Sequence, residues 1–216
     1  VLWLTQHPGE PSCLFHEIAC DAQGRVWASG MFKGKAVVGP DTYATTNAKD
    51  SDALICHYDT AGKLLWSRAG QGPGVDYGLG VAADGKGNAY LTGEFSEGFS
   101  LGGKSLRSRG STDVYVAKFD TAGASVWLKQ SGGSGSDNAY VDVTDGRGGL
   151  LVAGAYAATQ QMDHLALTSK GSGDAYVARL DPEGSPADKR LPRDKLLLRH
   201  DDAGTVVPVT DAAGWS

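Results

Sequence analysis

Six aspartates are the residues whose type and spacing first suggest chemistry. Each opens an Asp-x-x-Gly motif, and the six are Asp21, Asp59, Asp84, Asp120, Asp145 and Asp181. Recurring loop carboxylates can bind calcium or transfer protons, but both functions need several oxygen ligands or a paired group in one place. Each motif here has a single carboxylate. It is typical of a tight turn, in which Asp accepts backbone N–H groups and Gly adopts a positive φ.

Other residue types that support catalysis also lack the necessary spacing. The five histidines include no His-Glu-x-x-His pair of metal ligands. The glycine-rich segment 131–136 lacks the lysine and the following helix of a phosphate-binding loop. Asp52, Asp113 and Asp174 each open a predicted strand, where we expect them to bind backbone at a loop exit, with a shared ion as the alternative. The sequence therefore predicts no catalytic residue, no metal ion and no cofactor.

The elements that carry these residues repeat three times. Trp3 and Asp21, Trp66 and Asp84, and Trp127 and Asp145 are each 18 residues apart. Nine residues after each of these aspartates stands a glycine: Gly30, Gly93 and Gly154. A period of about 61 residues with short strands is typical of propeller blades. We expect the tryptophans to pack between neighbouring blades.

The middle copy shows the unit most clearly. Residues 78–83, 88–93, 113–119 and 125–129 are short runs bounded by turn residues, and the third alternates with a period of two. Four such strands form an antiparallel meander, and meanders around an axis form a β-propeller. The predicted fold is an all-β propeller of four-stranded antiparallel blades, about three in this chain. Within residues 1–184 we place an outer strand at 1–6 and blades at about 14–69, 76–130 and 137–184.

The pattern breaks after the third copy. Residues 185–193 contain two prolines and four charged residues, so they are predicted to be a linker that leaves the third blade without its outer strand. Residues 194–209 realign with residues 52–65, so residues 194–216 are predicted to be an extra β-hairpin or the start of a following segment. Two arrangements stay open. The chain forms a homo-oligomer in which copies exchange the strand at 1–6, or it is part of a larger propeller.

Two segments resemble a known family. Asp84-Gly-Lys-Gly-Asn-Ala-Tyr-Leu-Thr-Gly93 and Gly110-Ser-Thr-Asp-Val-Tyr-Val-Ala-Lys-Phe-Asp120, closing on Trp127, are similar to the bacterial seven-bladed β-propeller repeat abbreviated SBBP. The resemblance covers residues 1 to about 184. It implies a propeller and an extracellular or cell-surface location, and it carries over no catalytic residue.

A binding surface is expected on the long connections. In a four-stranded meander the Asp-x-x-Gly turns lie at one end and the long loops, residues 31–51, 94–112 and 155–173, at the other. Binding residues concentrate on such loops. The predicted ligand contacts are aromatic or imidazole side chains: Phe32, Tyr43, Phe95, Phe99, Tyr156 and His164. The alternative is that the loops pack their own apolar residues, such as Leu101 with Leu106.

The amino-acid composition disfavours some classes of binding partner. The net charge of the 216-residue chain is −5 and charged residues make up 21%, which disfavours nucleic acid. No apolar run is long enough to span a membrane. The leading hypothesis is a non-catalytic extracellular module that binds a glycan or a protein through its long loops. The alternatives are a polysaccharide hydrolase or lyase and a purely structural, assembly-forming propeller.

Overall fold

Strands account for all the regular secondary structure of the described residues. The computed structural model describes residues 3–47 and 49–186, together with the strands 197–200 and 206–209. The chain divides into two units, Val1–Pro186 and Ala187–Ser216. None of the described residues belongs to a helix that is long and apolar enough to cross a membrane.

The first copy forms one antiparallel sheet. Its strands are β1 (Gly9–Cys20), β2 (Val26–Val38), β3 (Asp41–Ala44), β4 (Ser51–Tyr58) and β5 (Leu64–Ala69). The order across the sheet is β1-β2-β4-β5, and β3 pairs with the end of β2. The sheet is therefore a four-stranded meander with a short hairpin extending from its second strand.

The second and third copies repeat this plan. The second sheet contains β6 (Asp76–Ala83), β7 (Ala89–Phe95), β10 (Asp113–Phe119) and β11 (Ser125–Ser131), with the hairpin β8 (Gly98–Leu101) and β9 (Lys104–Arg107). The third contains β12 (Asp137–Thr144), β13 (Leu150–Tyr156) and β16 (Asp174–Leu180), with the hairpin β14 (Thr159–Met162) and β15 (Leu165–Thr168). The prediction of an all-β chain built from repeated antiparallel sheets of about four strands is confirmed.

The two ends of the repeat region differ from its middle. Residues 3–8 lie outside any strand, although the sequence predicts an outer strand at 1–6, whose first two residues lie outside the described part. In the described part, the outer position of the third sheet holds only an isolated bridge between Leu180 and Pro186. The second unit contains the hairpin β17 (Leu197–His200) and β18 (Val206–Val209). This hairpin lies within the segment predicted to form one.

All six Asp-x-x-Gly motifs form the predicted turn. In each, Oδ1 of the aspartate accepts the backbone N–H groups two and four residues later, at 2.8–3.0 Å. The fourth residue of each motif is a glycine with φ between 77° and 92°. These carboxylates stabilise turns, because their acceptor capacity is used by local backbone donors.

The glycine that stands nine residues after the first Asp-x-x-Gly aspartate of each copy is required by a β-bulge, not by a turn. The first strand of each sheet carries a β-bulge, at His16, Leu79 and Tyr140, which are 63 and 61 residues apart. Each bulge pushes the carbonyl two residues earlier towards the neighbouring strand. A Cβ on Gly93 would lie 1.8 Å from the carbonyl oxygen of Tyr77, and Gly30 and Gly154 face equivalent carbonyls at 1.9 Å. Only glycine allows this approach.

Trp66 and Trp127 occupy equivalent places in the first two sheets. A Cβ on Gly123 would lie 2.7 Å from the Trp66 ring, and a Cβ on Gly184 would lie 3.0 Å from that of Trp127. Each of these rings belongs to one sheet and covers the second Asp-x-x-Gly turn of the next. Its indole N–H donates to a carbonyl in that turn, that of Thr121 or Pro182. The prediction that the tryptophans pack between neighbouring sheets is confirmed for Trp66 and Trp127.

Candidate binding site

The residues predicted to contact a ligand are mostly in the core. Phe32, Phe95 and Tyr156 occupy the same repeat position in the second strand of each sheet, and all three are buried. Phe99 is also buried, with its ring centroid 4.4 Å from that of Tyr115. These four rings fill the space within and between sheets, so they do not present a binding surface.

The other two predicted contacts are separate from each other. The Tyr43 hydroxyl lies 2.8 Å from Ser67 Oγ, and its ring packs on the cluster around Phe32. His164 is exposed in the turn between β14 and β15. The structure does not bring these two side chains together with the four buried rings on one surface.

The long connections are themselves structured. Each contains a two-stranded hairpin, formed by the end of β2 with β3, by β8 with β9, and by β14 with β15. Leu101 is buried, and Leu106 packs against the same cluster. The alternative in which the loops pack their own apolar residues therefore describes the hairpin of the second copy.

The loop-exit aspartates bind backbone as expected in two copies. Asp113 accepts the N–H of Arg109 at 3.2 Å, and Asp174 accepts the N–H of Lys170 at 3.0 Å. Asp52 is fully buried beside Asp76, and burial raises its pKa to about 7. Burial, followed by the nearby Asp52, raises the pKa of Asp76 to about 8. No group of three or more potential metal ligands occurs among the described residues.

A different site is formed by the first strands of the three sheets. An open groove of about 370 Å³ is lined by seven residues: His16, Met31, Tyr77, Leu79, Glu94, Asn138 and Tyr140. Three of them are the bulged residues of β1, β6 and β12. A bulge redirects its side chain away from the regular alternation of a strand. The groove therefore collects one redirected side chain from each sheet.

The groove lies towards the long-connection end of the strands. Tyr77 and Leu79 are in the first half of β6, and Asn138 and Tyr140 are in the first half of β12. Both strands end at an Asp-x-x-Gly turn, which is at the opposite end. The groove is therefore at the end of the strands where the sequence predicts a binding surface, and its lining residues differ from the six predicted contacts.

Hydrogen bonds hold the groove in shape. The Tyr115 hydroxyl donates to the Tyr77 carbonyl at 3.0 Å, and the Tyr176 hydroxyl donates to the Asn138 carbonyl at 3.3 Å. His16 Nδ1 donates to the Gly78 carbonyl at 2.9 Å. Both tyrosines belong to the third strands of their sheets and are buried. They fix the backbone from which the lining side chains project.

One polar pair and one exposed ring give the groove its chemistry. The Asn138 amide donates to the Glu94 carboxylate across the second and third sheets. Burial raises the pKa of Glu94. Tyr140 is 55% exposed, so part of this residue is accessible to a ligand. The groove offers an aromatic surface beside fixed hydrogen-bonding groups.

The sequence contained a signal for these residues. The lining positions differ among otherwise similar copies: residues 16, 79 and 140 are His, Leu and Tyr, and residues 77 and 138 are Tyr and Asn. Side chains required by the scaffold recur in every copy, as the tryptophans and Asp-x-x-Gly turns do. Variation inside a strand, in a chain with such regular spacing, marks positions that the scaffold leaves free.

Comparison with known proteins gives a distant similarity. No family model matches this chain. It is 26% identical over 158 residues to the regulatory protein FlaEY of Caulobacter vibrioides. The match covers 71% of this chain and 16% of FlaEY, so the chain spans a small part of that curated relative. The chain is thus distantly similar to one part of FlaEY and has an all-β architecture of repeated antiparallel sheets.

Proposed function

We propose that this chain is a non-catalytic glycan-binding module, and that its three sheets are blades of a β-propeller of the SBBP type. The observation that carries the proposal is the groove in which Tyr140 lies exposed beside the Glu94–Asn138 pair. A tyrosine ring presents an apolar face with a polar tip. The C–H face of a sugar ring stacks on such a surface, while its hydroxyls bond to the amide and carboxyl groups.

The charge of the site favours a neutral ligand. Glu94 is the one carboxyl group among the lining residues, and no lysine or arginine lies among them. An anionic polysaccharide would meet a chain with a net charge of −5 and no cation in the groove. A neutral glycan, in contrast, needs hydrogen-bond donors and acceptors rather than opposite charge.

The rival hydrolase hypothesis is less well supported. Glycoside hydrolysis by the common mechanisms uses two carboxyl groups on opposite sides of the scissile bond. Glu94, whose raised pKa suits an acid, has no second carboxyl group among the groove residues. The cellular location of the protein and the assembly that contains this module are also proposals. We propose an extracellular or cell-surface protein in which this module supplies binding to a larger assembly.

The test is a glycan array followed by titration calorimetry with Tyr140→Ala. We expect binding to a neutral glycan and a loss of at least about tenfold in affinity in the variant, about 1.4 kcal/mol. The stability of the variant should change by less than about 0.5 kcal/mol because the ring is exposed. Val126→Ala is the matched control, since Val126 is an exposed residue of β11, outside the groove.

Two results would reject the proposal. One is the absence of binding to any neutral glycan on the array, and the other is an affinity that Tyr140→Ala leaves unchanged. The hydrolase alternative is tested by the release of reducing ends from bound polysaccharide. Release that disappears in Glu94→Gln would favour catalysis, whereas a binding module retains its ligand unaltered.

A further inference from the structure

The groove contains a histidine whose protonated nitrogen is fixed by the backbone. His16 Nδ1 lies 2.9 Å from the carbonyl oxygen of Gly78, and a carbonyl oxygen can only accept a hydrogen bond. The proton of the neutral imidazole ring is therefore on Nδ1, which leaves Nε2 as a hydrogen-bond acceptor. The rings of His16 and Tyr77 also meet edge to face, with their centroids 6.3 Å apart. His16 consequently gives the groove an acceptor in a defined position.

This acceptor lies next to an apolar part of the groove. Gly78, whose carbonyl bonds to His16, directly precedes Leu79, the bulged residue of β6. Leu79 and Met31 both line the groove, and Met31 is buried. An apolar group of a ligand that packs against them leaves water, which favours binding. One side of the groove thus combines an acceptor with an apolar surface.

The rest of the lining also suits a ligand that brings its own donors. One amide hydrogen of Asn138 bonds to the Glu94 carboxylate. Within the described ranges, Glu94 accepts no other hydrogen bond, and the side-chain oxygen of Asn138 accepts none. Both side chains line the groove, so their oxygens add to the acceptor of His16. The groove is therefore matched by a ligand that carries N–H or O–H groups beside an apolar group.

An acetamido group on a sugar meets these requirements better than a hydroxyl group does. A hydroxyl can donate to an acceptor, but it has no apolar part to place on Leu79 and Met31. The acetamido group joins an N–H donor and a methyl group in one planar unit. Its carbonyl oxygen can accept from a tyrosine hydroxyl, and Tyr77 and Tyr140 both line the groove. Each part of the acetamido group therefore has a counterpart among the lining residues.

We propose that the ligand of the groove is a neutral glycan that contains N-acetylhexosamine. Its acetamido N–H donates to His16 Nε2, and its methyl group packs on Leu79 and Met31. The ring of the same sugar stacks on Tyr140. This inference rests on the proposed function, since it names the sugar that the glycan-binding groove selects.

Two matched trisaccharides, triacetylchitotriose and cellotriose, test the proposal. They have the same linkage between their sugars and differ in the acetamido group that replaces one hydroxyl group on each sugar. We expect titration calorimetry to show an affinity at least about tenfold higher for triacetylchitotriose, because it gains the burial of a methyl group and a well-placed hydrogen bond.

Leu79→Ala tests the apolar contact. It should lower the affinity for triacetylchitotriose about fivefold and change that for cellotriose by less than about twofold, because only the acetamido methyl packs on this side chain. The ratio of the two affinities does not depend on the fraction of folded protein, so a partly destabilised variant still gives an answer. Val126→Ala, outside the groove, should leave both affinities unchanged.

The outcomes separate this inference from the proposed function. Equal affinities for the two trisaccharides, or a Leu79→Ala variant that weakens both equally, would overturn the inference and leave glycan binding in place. Binding of neither trisaccharide would overturn it as well. In that case, binding of another neutral glycan on the array would retain the proposed function, whereas binding of none would reject both.

Discussion

Replacing Gly93 with alanine is expected to destabilise the protein by about 3 kcal/mol or more. The added Cβ would lie 1.8 Å from the carbonyl oxygen of Tyr77 and 2.9 Å from the Tyr115 ring. The carbonyl is held by the Tyr115 hydroxyl, so relief requires a backbone shift in β6 and the loss of that bond. Overpacking against fixed atoms commonly costs about 1–3 kcal/mol, and the lost bond adds about 1 kcal/mol.

Urea unfolding of Gly93→Ala measures this effect. Gly85→Ala is the matched control, because a Cβ on Gly85 meets nothing within 4 Å. The control should change the free energy of unfolding by less than about 0.5 kcal/mol. If Gly93→Ala also cost less than about 1 kcal/mol, the bulge would not be the reason for the repeated glycine.

The turns and sheets could be predicted because their causes are local or periodic. An aspartate that binds the amides two and four residues later makes a turn in any sheet, so Asp59 and Asp120 indicated hairpins without tertiary information. The regular spacing of Trp66 and Trp127 indicated that the contact between neighbouring sheets repeats along the chain. Because the same local structure occurs in three copies, the residues that form it recur at regular intervals in the sequence.

The groove could not be predicted in the same way. Its lining depends on bulges, and the sequence shows the glycine that accommodates a bulge without showing the bulge itself. His16, Leu79 and Tyr140 come together from strands more than sixty residues apart. The aromatic residues that the sequence singled out as ligand contacts are mostly buried, and their regular recurrence explains why. Phe32, Phe95 and Tyr156 recur at one repeat position, and such recurrence indicates a structural role rather than a ligand contact.

The buried aspartates predict that the protein loses stability as the pH rises. Asp52 and Asp76 are fully buried, with folded-state pKa values of about 7 and about 8, whereas an unfolded aspartate has a pKa near 3.9. Between these values the folded state binds more protons than the unfolded state. The free energy of unfolding therefore falls with rising pH and levels off above the folded pKa.

The best window for the measurement is pH 6.5 to 8.5. Burial lowers the pKa of His57 to about 4. Its contribution to the free energy of unfolding therefore decreases as the pH falls below about 6.5, which is opposite to the effect of the buried aspartates. In the chosen window Asp76 alone should lower the free energy of unfolding by about 2 kcal/mol, at about 1.4 kcal/mol per pH unit below its folded pKa. Asp52 adds to this decrease at the lower end.

Asp76→Asn separates this effect from a general charge effect. The amide keeps the shape of the protonated carboxyl group and cannot ionise, so we expect urea unfolding to show a smaller pH slope and a variant more stable than the unmodified protein at pH 8.5. Asp163→Asn removes one negative charge from an exposed turn and should leave the slope unchanged. Stability that increased from pH 6.5 to 8.5, or a slope in Asp76→Asn equal to that of the unmodified protein, would mean that Asp76 is ionised in the folded state across this window. The junction between the first two sheets would then have to hold a buried charge, which is costly unless it is matched by an opposite charge or several donors.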